Sequence, residues 1–334
     1  MAALAFFGEL IVRLSPPGRQ LLALAQALDV FPGGAEANVA VALAGLGHDC
    51  RMISRVPDNG LGDMALRPLM AAGIDCGQVS RGPGRMAFYW MEQGAGTRAS
   101  RIVYDREGSA LALSGIGDFD WDSALAGVEY LYLSGITPAL GSRWAEDAVA
   151  VARLARERGV RIVFDGNYRA NLWAAWDSDP RSVLRALVGE AEILFGNHRD
   201  LGLLLGREFA GDDMRREAAL EAFAAFPGLR LIAGTRRQVE HVDSHRLSAR
   251  IDTPVGYAVT GEMVLHGIVE RVGGGDAFAA GVLHGLLTQP GDIEAAARTG
   301  LALTALKHSV PGDAVPFRQA DIDQVLTGEL DVRR

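Results

Sequence analysis

The hydrophobic positions of this chain alternate between two spacings. Short apolar runs of strand length occur at residues 4–14, 51–56, 129–133, 161–164, 192–195 and 229–233. Between them, residues 36–46 form a small-residue apolar run that ends at Gly47, and residues 144–158 carry the spacing of an amphipathic helix that ends at Gly159. This βα alternation predicts an α/β fold with a central, mostly parallel sheet and helices on both faces.

One segment interrupts the alternation. Strand-like runs at 86–91 and 101–105 are joined by Gly94-Ala95-Gly96, which predicts a β-hairpin. We interpret the hairpin as a lid over the ligand site; the alternative is an additional edge of the main sheet. No linker rich in Pro, Gly or Ser divides the chain, so we expect a single domain, 1–334, with a β lid formed mainly by about 86–107 and including 9–32.

Composition and charge narrow the class of protein. The 334 residues are 49% hydrophobic and 22% charged, as in ordinary globular proteins. A formal net charge of −8 gives a nucleic-acid partner no electrostatic support. No apolar run is long enough to span a bilayer and no basic segment precedes the first one, so we expect a cytoplasmic protein without a membrane partner. The two cysteines, Cys50 and Cys76, have no paired spacing and indicate neither a disulfide nor a zinc site.

The segment that points most clearly to chemistry is Gly273-Gly274-Gly275-Asp276, which leads into an apolar helix. Glycines allow a close approach of the backbone to a ligand, and the N-terminus of a helix favours negative charge. This combination suits a transferring phosphoryl group. A carboxylate beside such an anion site is explained if it removes a proton from an attacking hydroxyl; the alternative is a helix-terminal aspartate favoured only by the dipole.

Two signatures, about 240 residues apart, carry a resemblance to a known family. Gly273-Gly274-Gly275-Asp276 followed by Ala-Phe-Ala-Ala-Gly resembles the C-terminal signature of the PfkB, or ribokinase, family of carbohydrate kinases, and the segment from Gly33 to Ala40 resembles its N-terminal signature. The resemblance implies a ribokinase-like three-layer fold, ATP and Mg²⁺ as co-substrate and cofactor, and Asp276 as the base. It also implies that the N–H groups of Gly273, Gly274 and Gly275 stabilise the transferring charge.

Further segments resemble one group of this family, the 2-dehydro-3-deoxygluconokinases. These are Arg101–Arg106, Asn167-Tyr168-Arg169 with Leu172-Trp173, Phe195-Gly196-Asn197 and Leu306–Asp313. By this resemblance Arg106 and Arg169 would bind the carboxylate of a sugar acid. The implied substrate-binding residues are Gly33, Gly34, Asn38, Tyr89, Tyr104, Arg106 and Arg169.

The resemblance also implies a nucleotide site. Asn197 to Asp200 resembles the family's Asn-x-x-Glu element, with the shorter Asp200 acting on Mg²⁺ through water. We expect the segment Gly234-Thr235-Arg236 to be a loop at the ATP phosphates, although Arg236 is equally explained as an exposed arginine in an ordinary loop. The implied ATP-binding residues are Asn167, Asn197, Thr235, Arg236, Gly273 and Gly275.

The function expected from the sequence is phosphorylation of 2-dehydro-3-deoxy-D-gluconate at its 6-hydroxyl. One alternative is a kinase for another sugar, such as fructose, ribose or a related keto-sugar acid, and a second is a catalytically silent sugar-acid sensor. A dinucleotide-dependent dehydrogenase is disfavoured because no Gly-x-Gly-x-x-Gly turn follows the first strand. A homo-oligomer is expected from the family.

Overall fold

A computed structural model describes residues 3–328 of the chain. Within them fourteen β-strands form two sheets. In chain order the strands are β1 Ala3–Phe7, β2 Ile11–Ser15, β3 Asp29–Gly33, β4 Asp49–Pro57, β5 Asp75–Gly82, β6 Ala87–Glu92, β7 Arg101–Asp105, β8 Tyr130–Ser134, β9 Arg161–Asp165, β10 Ile193–Phe195, β11 Leu231–His241, β12 Ser244–Asp252, β13 Tyr257–Val259 and β14 Met263–His266.

Eleven α-helices lie between and around these strands in the described residues, together with four short 3₁₀ turns. No helix of residues 3–328 has the length and apolar character needed to cross a membrane. The α-helices are α1 Ala35–Gly45, α2 Gly60–Ala71, α3 Trp121–Leu125, α4 Ser142–Glu157, α5 Ala170–Trp173, α6 Pro180–Glu190, α7 His198–Leu205, α8 Arg215–Ala225, α9 Gly274–Thr288, α10 Ile293–Lys307 and α11 Gln319–Thr327.

The larger sheet has the strand order β13-β12-β11-β10-β9-β8-β1-β4-β5, with β14 also paired to β12. All pairs from β11 to β5 are parallel, and β12 pairs antiparallel with β11, β13 and β14. The carboxyl ends of the parallel strands therefore lie along one edge, where ligands bind in open α/β sheets. The predicted fold class is confirmed.

Helices cover both faces of this sheet, and the alternation of side chains along β1 shows how. Leu4 and Phe6 point into one core with α1, α2, α9, α10 and α11, whereas Ala5 and Phe7 point into a second core with α3, α4, α6, α7 and α8. Successive strand residues project to opposite faces, so a strand buried on both sides appears in the sequence as a continuous apolar run.

The apolar run at 4–14 is not one strand. It divides at Gly8, Glu9 and Leu10 into β1 of the large sheet and β2 of a small four-stranded sheet with the order β3-β2-β6-β7. The backbone N–H of Gly8 still bonds to Ile53 of β4, and beyond it the chain leaves the large sheet. The predicted hairpin is β6 and β7, which pair antiparallel, and it belongs to the small sheet rather than to an edge of the large one.

A second difference from the sequence-based expectation concerns Gly234-Thr235-Arg236. The segment is not a loop, because β11 continues through it to His241 in a long antiparallel pairing with β12, in which Thr235 lies opposite Ala249. The polar residues after Ala233 mark the point where the strand leaves the buried sheet and continues in an extension formed by β11, β12 and β14, not the end of the strand. This prediction was wrong.

Candidate active site

The glycine segment forms the N-terminus of α9. Gly273 precedes the helix with φ of 79°, and a Cβ at this position would overlap the carbonyl oxygen of Asp313, so only glycine fits. Gly274 donates its N–H to the carbonyl of Arg271 at 3.3 Å. Within residues 3–328, the N–H groups of Gly275 and Asp276 have no hydrogen-bond acceptor. These two N–H groups at a helix N-terminus are available to an anion.

Asp276 faces a cavity of about 470 Å³ from the first turn of α9. Its Oδ2 accepts a hydrogen bond from Nδ2 of Asn38 at 2.7 Å. Burial raises the pKa of Asp276 to about 7, with the nearby Asp165 and Asp313 acting in the same direction and Asn38 opposing them. A carboxyl group with a pKa near 7 is suited to accept a proton at neutral pH.

Most of the predicted substrate-binding residues line this same cavity. Gly34, which precedes α1 with φ of 146°, approaches the carbonyl of Glu9 so closely that a side chain would overlap it. Gly33 lies at the end of β3 beneath Asn38 and is not among the lining residues. The predicted residues that line the cavity are Gly34, Asn38, Tyr89, Tyr104, Arg106, Asn167, Arg169, Gly273, Gly274, Gly275 and Asp276.

The two arginines predicted to bind a substrate carboxylate differ in their ion pairs. The Arg106 guanidinium bonds to the carboxylate of Glu9, whose side chain is 2% exposed and also accepts from the Ser109 hydroxyl. Arg169 also faces the cavity but has no ion pair with any described residue. Arg169 is thus the free cation of the two, while Arg106 is held in place by Glu9.

Tyr89 and Tyr104 lie opposite each other on β6 and β7, with ring centroids 5.6 Å apart. The Tyr89 hydroxyl donates to Oδ2 of Asp313 at 2.5 Å, and burial raises the pKa of Tyr89, so it stays a neutral phenol. The two tyrosines supply an aromatic wall from the small sheet. This wall lines the same cavity as Asp276.

A second cavity of about 280 Å³ adjoins the first. Asp165, Asn167, Arg169 and Gly275 line both cavities, so the two form one continuous site divided at Gly275. Asn167 turns the chain there, with φ of 33°. The predicted nucleotide-binding residues that line the second cavity are Asn167, Asn197, Thr235 and Gly275.

The donor set of the second cavity suits a magnesium ion that arrives with a nucleotide. Asp200 caps α7 by accepting the Asn197 N–H at 2.7 Å, and burial raises its pKa. Burial also raises the pKa of Asp165 to about 6. No cluster of three or more metal-binding side chains exists in the described part of the chain. A site with only a few carboxylate oxygens suits Mg²⁺, because this ion retains several of its water ligands and also binds the phosphate oxygens of the nucleotide.

The structure places Arg236 away from both cavities. Its guanidinium pairs with Asp212 at 2.7 Å and with Glu262 at 3.9 Å. Its neighbour Arg237 projects to the other face of β11 and lines the larger cavity together with Arg271. Side chains alternate between the two faces of a strand. If the predicted strand 229–233 had been extended through this segment, that alternation would have indicated Arg237 rather than Arg236.

Two of the acidic residues that line the larger cavity, Glu9 and Glu36, were not assigned to the site from the sequence. Glu9, Glu36, Asp165 and Asp313 all line the larger cavity, and burial raises the pKa of Glu36 to about 7. The available signal for Glu36 was an acidic residue in the first turn of a helix made otherwise of small residues. Glu9 carried a comparable signal, since it interrupts the first apolar run.

Comparison with known proteins identifies the family of this chain. The model of the pfkB family of carbohydrate kinases matches residues 1–229, and the chain belongs to this family. It is a sugar kinase, and its similarity to the kinases of 2-dehydro-3-deoxy sugar acids extends over nearly its whole length. The 2-dehydro-3-deoxygalactonokinase of Haloferax volcanii is 30% identical over 328 residues, which cover 98% of this chain and 97% of that one.

Two further relatives support the same grouping. The crystal structure of 2-dehydro-3-deoxygluconokinase from Thermotoga maritima superposes with a TM-score of 0.92 at 32% identity, covering 98% of this chain and 99% of the other. The 2-dehydro-3-deoxygluconokinase of Bacillus subtilis is 28% identical over 295 residues, 86% of this chain and 84% of its own length.

Proposed function

We propose that this kinase transfers the γ-phosphoryl group of ATP to the 6-hydroxyl of 2-dehydro-3-deoxy-D-gluconate. The observation that carries the proposal is that the Asp276 carboxyl group and two unpaired backbone N–H groups, its own and that of Gly275, lie at one cavity, which Arg169 also lines. A sugar acid extended from Arg169 toward Asp276 presents its carboxylate at one end and its terminal hydroxyl at the other.

In the proposed reaction, Asp276 takes the proton of the 6-hydroxyl as the oxygen forms its bond to the γ-phosphorus. The bond from this phosphorus to the β–γ bridging oxygen breaks, and ADP leaves. The N–H groups of Gly275 and Asp276 stabilise the charge on the transferring oxygens. Asp200 of the second cavity would hold a Mg²⁺ ion bound with ATP through its water ligands, and the ion would supply positive charge that offsets part of the phosphate charge.

The small sheet acts as a lid in this scheme. Tyr89 and Tyr104 on β6 and β7 cover the sugar, which excludes water and limits wasteful hydrolysis of ATP. The outer strand β7 exposes Ile102 and Val103, which are 45% and 56% exposed, and this supports pairing of lids between subunits in a homo-oligomer. We expect a cytoplasmic enzyme, where ATP is available.

The test is an ADP-release assay with 2-dehydro-3-deoxy acids of the gluconate and galactonate series, and with fructose and ribose. Arg169→Ala removes a hydrogen-bonded charge worth about 1.5–3 kcal/mol, so kcat/KM for the acids should fall about 10- to 150-fold. Activity on neutral sugars should change little. Arg153→Ala, at an exposed pair with Glu190, is the matched control and should behave as the parent enzyme.

The alternatives make different predictions in the same assay. A kinase for neutral sugars would show a higher kcat/KM for fructose or ribose than for any acid, and Arg169→Ala would affect all substrates alike. A silent sensor would bind the acids in calorimetry but release no ADP. Either outcome would overturn the proposal for 2-dehydro-3-deoxy-D-gluconate.

A further inference from the structure

Lys307 is the only lysine in the sequence, and it is fully buried. It is the last residue of α10, and its Nζ donates to the carbonyl of Val310 at 3.1 Å. No carboxylate of the described residues lies within ion-pair distance of it. Burying an ammonium group is costly, and lysine is rarely fully buried without a strong partner. The position therefore calls for a role beyond packing.

The side chain of Lys307 packs against the glycine segment of the proposed active site. A Cβ built on Gly273 would lie 3.2 Å from Cε of Lys307 and would overlap the carbonyl oxygen of Asp313. Gly273 lines the larger cavity, whereas Lys307 does not. Any effect of the ammonium on a ligand must pass through Gly273 and the start of α9.

The charged groups around Lys307 leave its charge only partly compensated. Arg13 of the small sheet, itself fully buried, pairs with Glu270 at 2.5 Å and with Asp313 at 2.9 Å, so these two carboxylates already share one guanidinium. Together with Lys307 they form a buried cluster of two cations and two anions. The titratable groups that face Lys307 from the packed elements are Arg13 of β2, Glu270, Asp276 of α9, His308 and Asp313.

We propose that Lys307 is a positioning residue for phosphoryl transfer: it holds the turn from 307 to 313 against Gly273 and places a fixed positive charge behind the free amides of Gly275 and Asp276. This inference rests on the proposed kinase reaction. The charge reinforces the field of the helix N-terminus at the place where negative charge develops on the transferring oxygens. The other explanation for the side chain is a purely structural counterion of Glu270 and Asp313.

A pH dependence follows from this role. Burial lowers the pKa of Lys307 to about 8, against the pull of Glu270 and Asp313, which favour the charged form. The ammonium is present below this pH and is lost as the pH rises through it. Turnover should therefore fall above pH 8, while the affinity for the sugar acid should change little, because Lys307 does not line the cavity.

The single lysine allows a direct measurement that needs no catalytic activity. Protein labelled with ¹³C-lysine gives one Cε signal, which is titrated from pH 6 to 11 with and without MgADP and aluminium fluoride, a mimic of the transferring phosphoryl group. We expect a midpoint near 8 in the free protein, and a rise of about half a pH unit or more with the mimic, because an anion that is stabilised by the ammonium must stabilise the ammonium in turn. A midpoint that the mimic does not move overturns the proposal.

Variants complete the test through kinetics. Lys307→Met removes the charge at similar length and should lower kcat on the order of tenfold, abolish the fall in kcat above pH 8, and leave KM for the sugar acid within about twofold. Arg298→Met, an exposed cation on the same helix, is the control and should match the parent enzyme. A Lys307→Met enzyme with parental kcat and an unchanged alkaline limb contradicts the proposal; if this variant does not fold, the titration decides.

The two proposals can fail separately. If the parent enzyme releases no ADP with any sugar acid, the proposed reaction is wrong, and the response of the Lys307 signal to the nucleotide mimic still tests the positioning role. If ADP release is normal and the phosphoryl mimic does not move the titration midpoint of Lys307, only the proposed role of Lys307 is wrong.

Discussion

The hydrogen bond from Asn38 to Asp276 gives a quantitative test of the assignment of the base. Asn38 is 4% exposed, and its Nδ2 donates to Oδ2 of Asp276 at 2.7 Å. This bond is the largest influence that lowers the pKa of Asp276, which burial holds at about 7. Replacing Asn38 with Leu keeps the branched shape of the side chain and removes the donor, so the charged form of Asp276 loses its main support.

Loss of this hydrogen bond should raise the pKa of Asp276. A hydrogen bond to a charged group is worth about 1.5–3 kcal/mol, and one pKa unit corresponds to about 1.4 kcal/mol. The pKa of Asp276 should therefore rise by about 1–2 units in Asn38→Leu. At pH 7 the ionised fraction would fall from about one half to between 1 and 10%, and kcat/KM should fall about 5- to 50-fold for this reason alone.

The assay is ADP release with limiting sugar acid from pH 5 to 9 at constant ionic strength, since kcat/KM reports the groups of the free enzyme. We expect the acid limb of the parent enzyme to have its midpoint near 7 and that of Asn38→Leu to lie at higher pH. Asn171→Leu, at an exposed asparagine of α5, controls for the added apolar surface and should keep the parental limb. A loss of kcat/KM in Asn38→Leu that is equal at every pH would refute the reasoning.

Two further pairs of variants test the site. Arg237→Ala should raise KM for the sugar acid about tenfold, because this arginine lines the larger cavity. Arg236→Ala loses only half-exposed pairs worth about 0–1 kcal/mol and should leave the kinetics unchanged; equal effects of the two would contradict the orientation of β11. Gly273→Ala should lower the melting temperature, because a φ of 79° alone costs an alanine about 1–2 kcal/mol and its methyl group would overlap Asp313. The methyl group of Gly275→Ala would meet open space, so this variant should melt like the parent protein but lose turnover. Calorimetric melting curves of both glycine variants check this contrast.

The sequence predicted the layers of the fold well because buried parallel strands and their helices have simple signatures. The run 161–164 and the helix 144–158 differ from β9 and α4 by at most two residues at each end. The errors arose where strand boundaries depend on contacts with distant parts of the chain. The run at 4–14 is apolar throughout, and only its two different pairing partners divide it into β1 and β2.

The candidate site was predictable where a motif is local in the sequence and not where charges meet across the fold. Gly275 and Asp276 lie in one short segment, and the structure brings them to the cavity that the resemblance implied. The pair of Arg13 and Glu270 joins residues 257 positions apart, and no local pattern signals it. The same holds for the contact between Glu9 and Arg106, which joins residues far apart in the sequence.

The central claim is that Asp276 removes the proton of the attacking hydroxyl, and the most direct measurement is kcat for ADP release by Asp276→Asn with saturating 2-dehydro-3-deoxy-D-gluconate and ATP. Because the amide keeps the shape of the side chain and cannot accept the proton, we predict a fall in kcat of about a hundredfold or more, with KM for both substrates within a few-fold of the parent enzyme. A folded Asp276→Asn enzyme that retains most of its kcat would contradict the account.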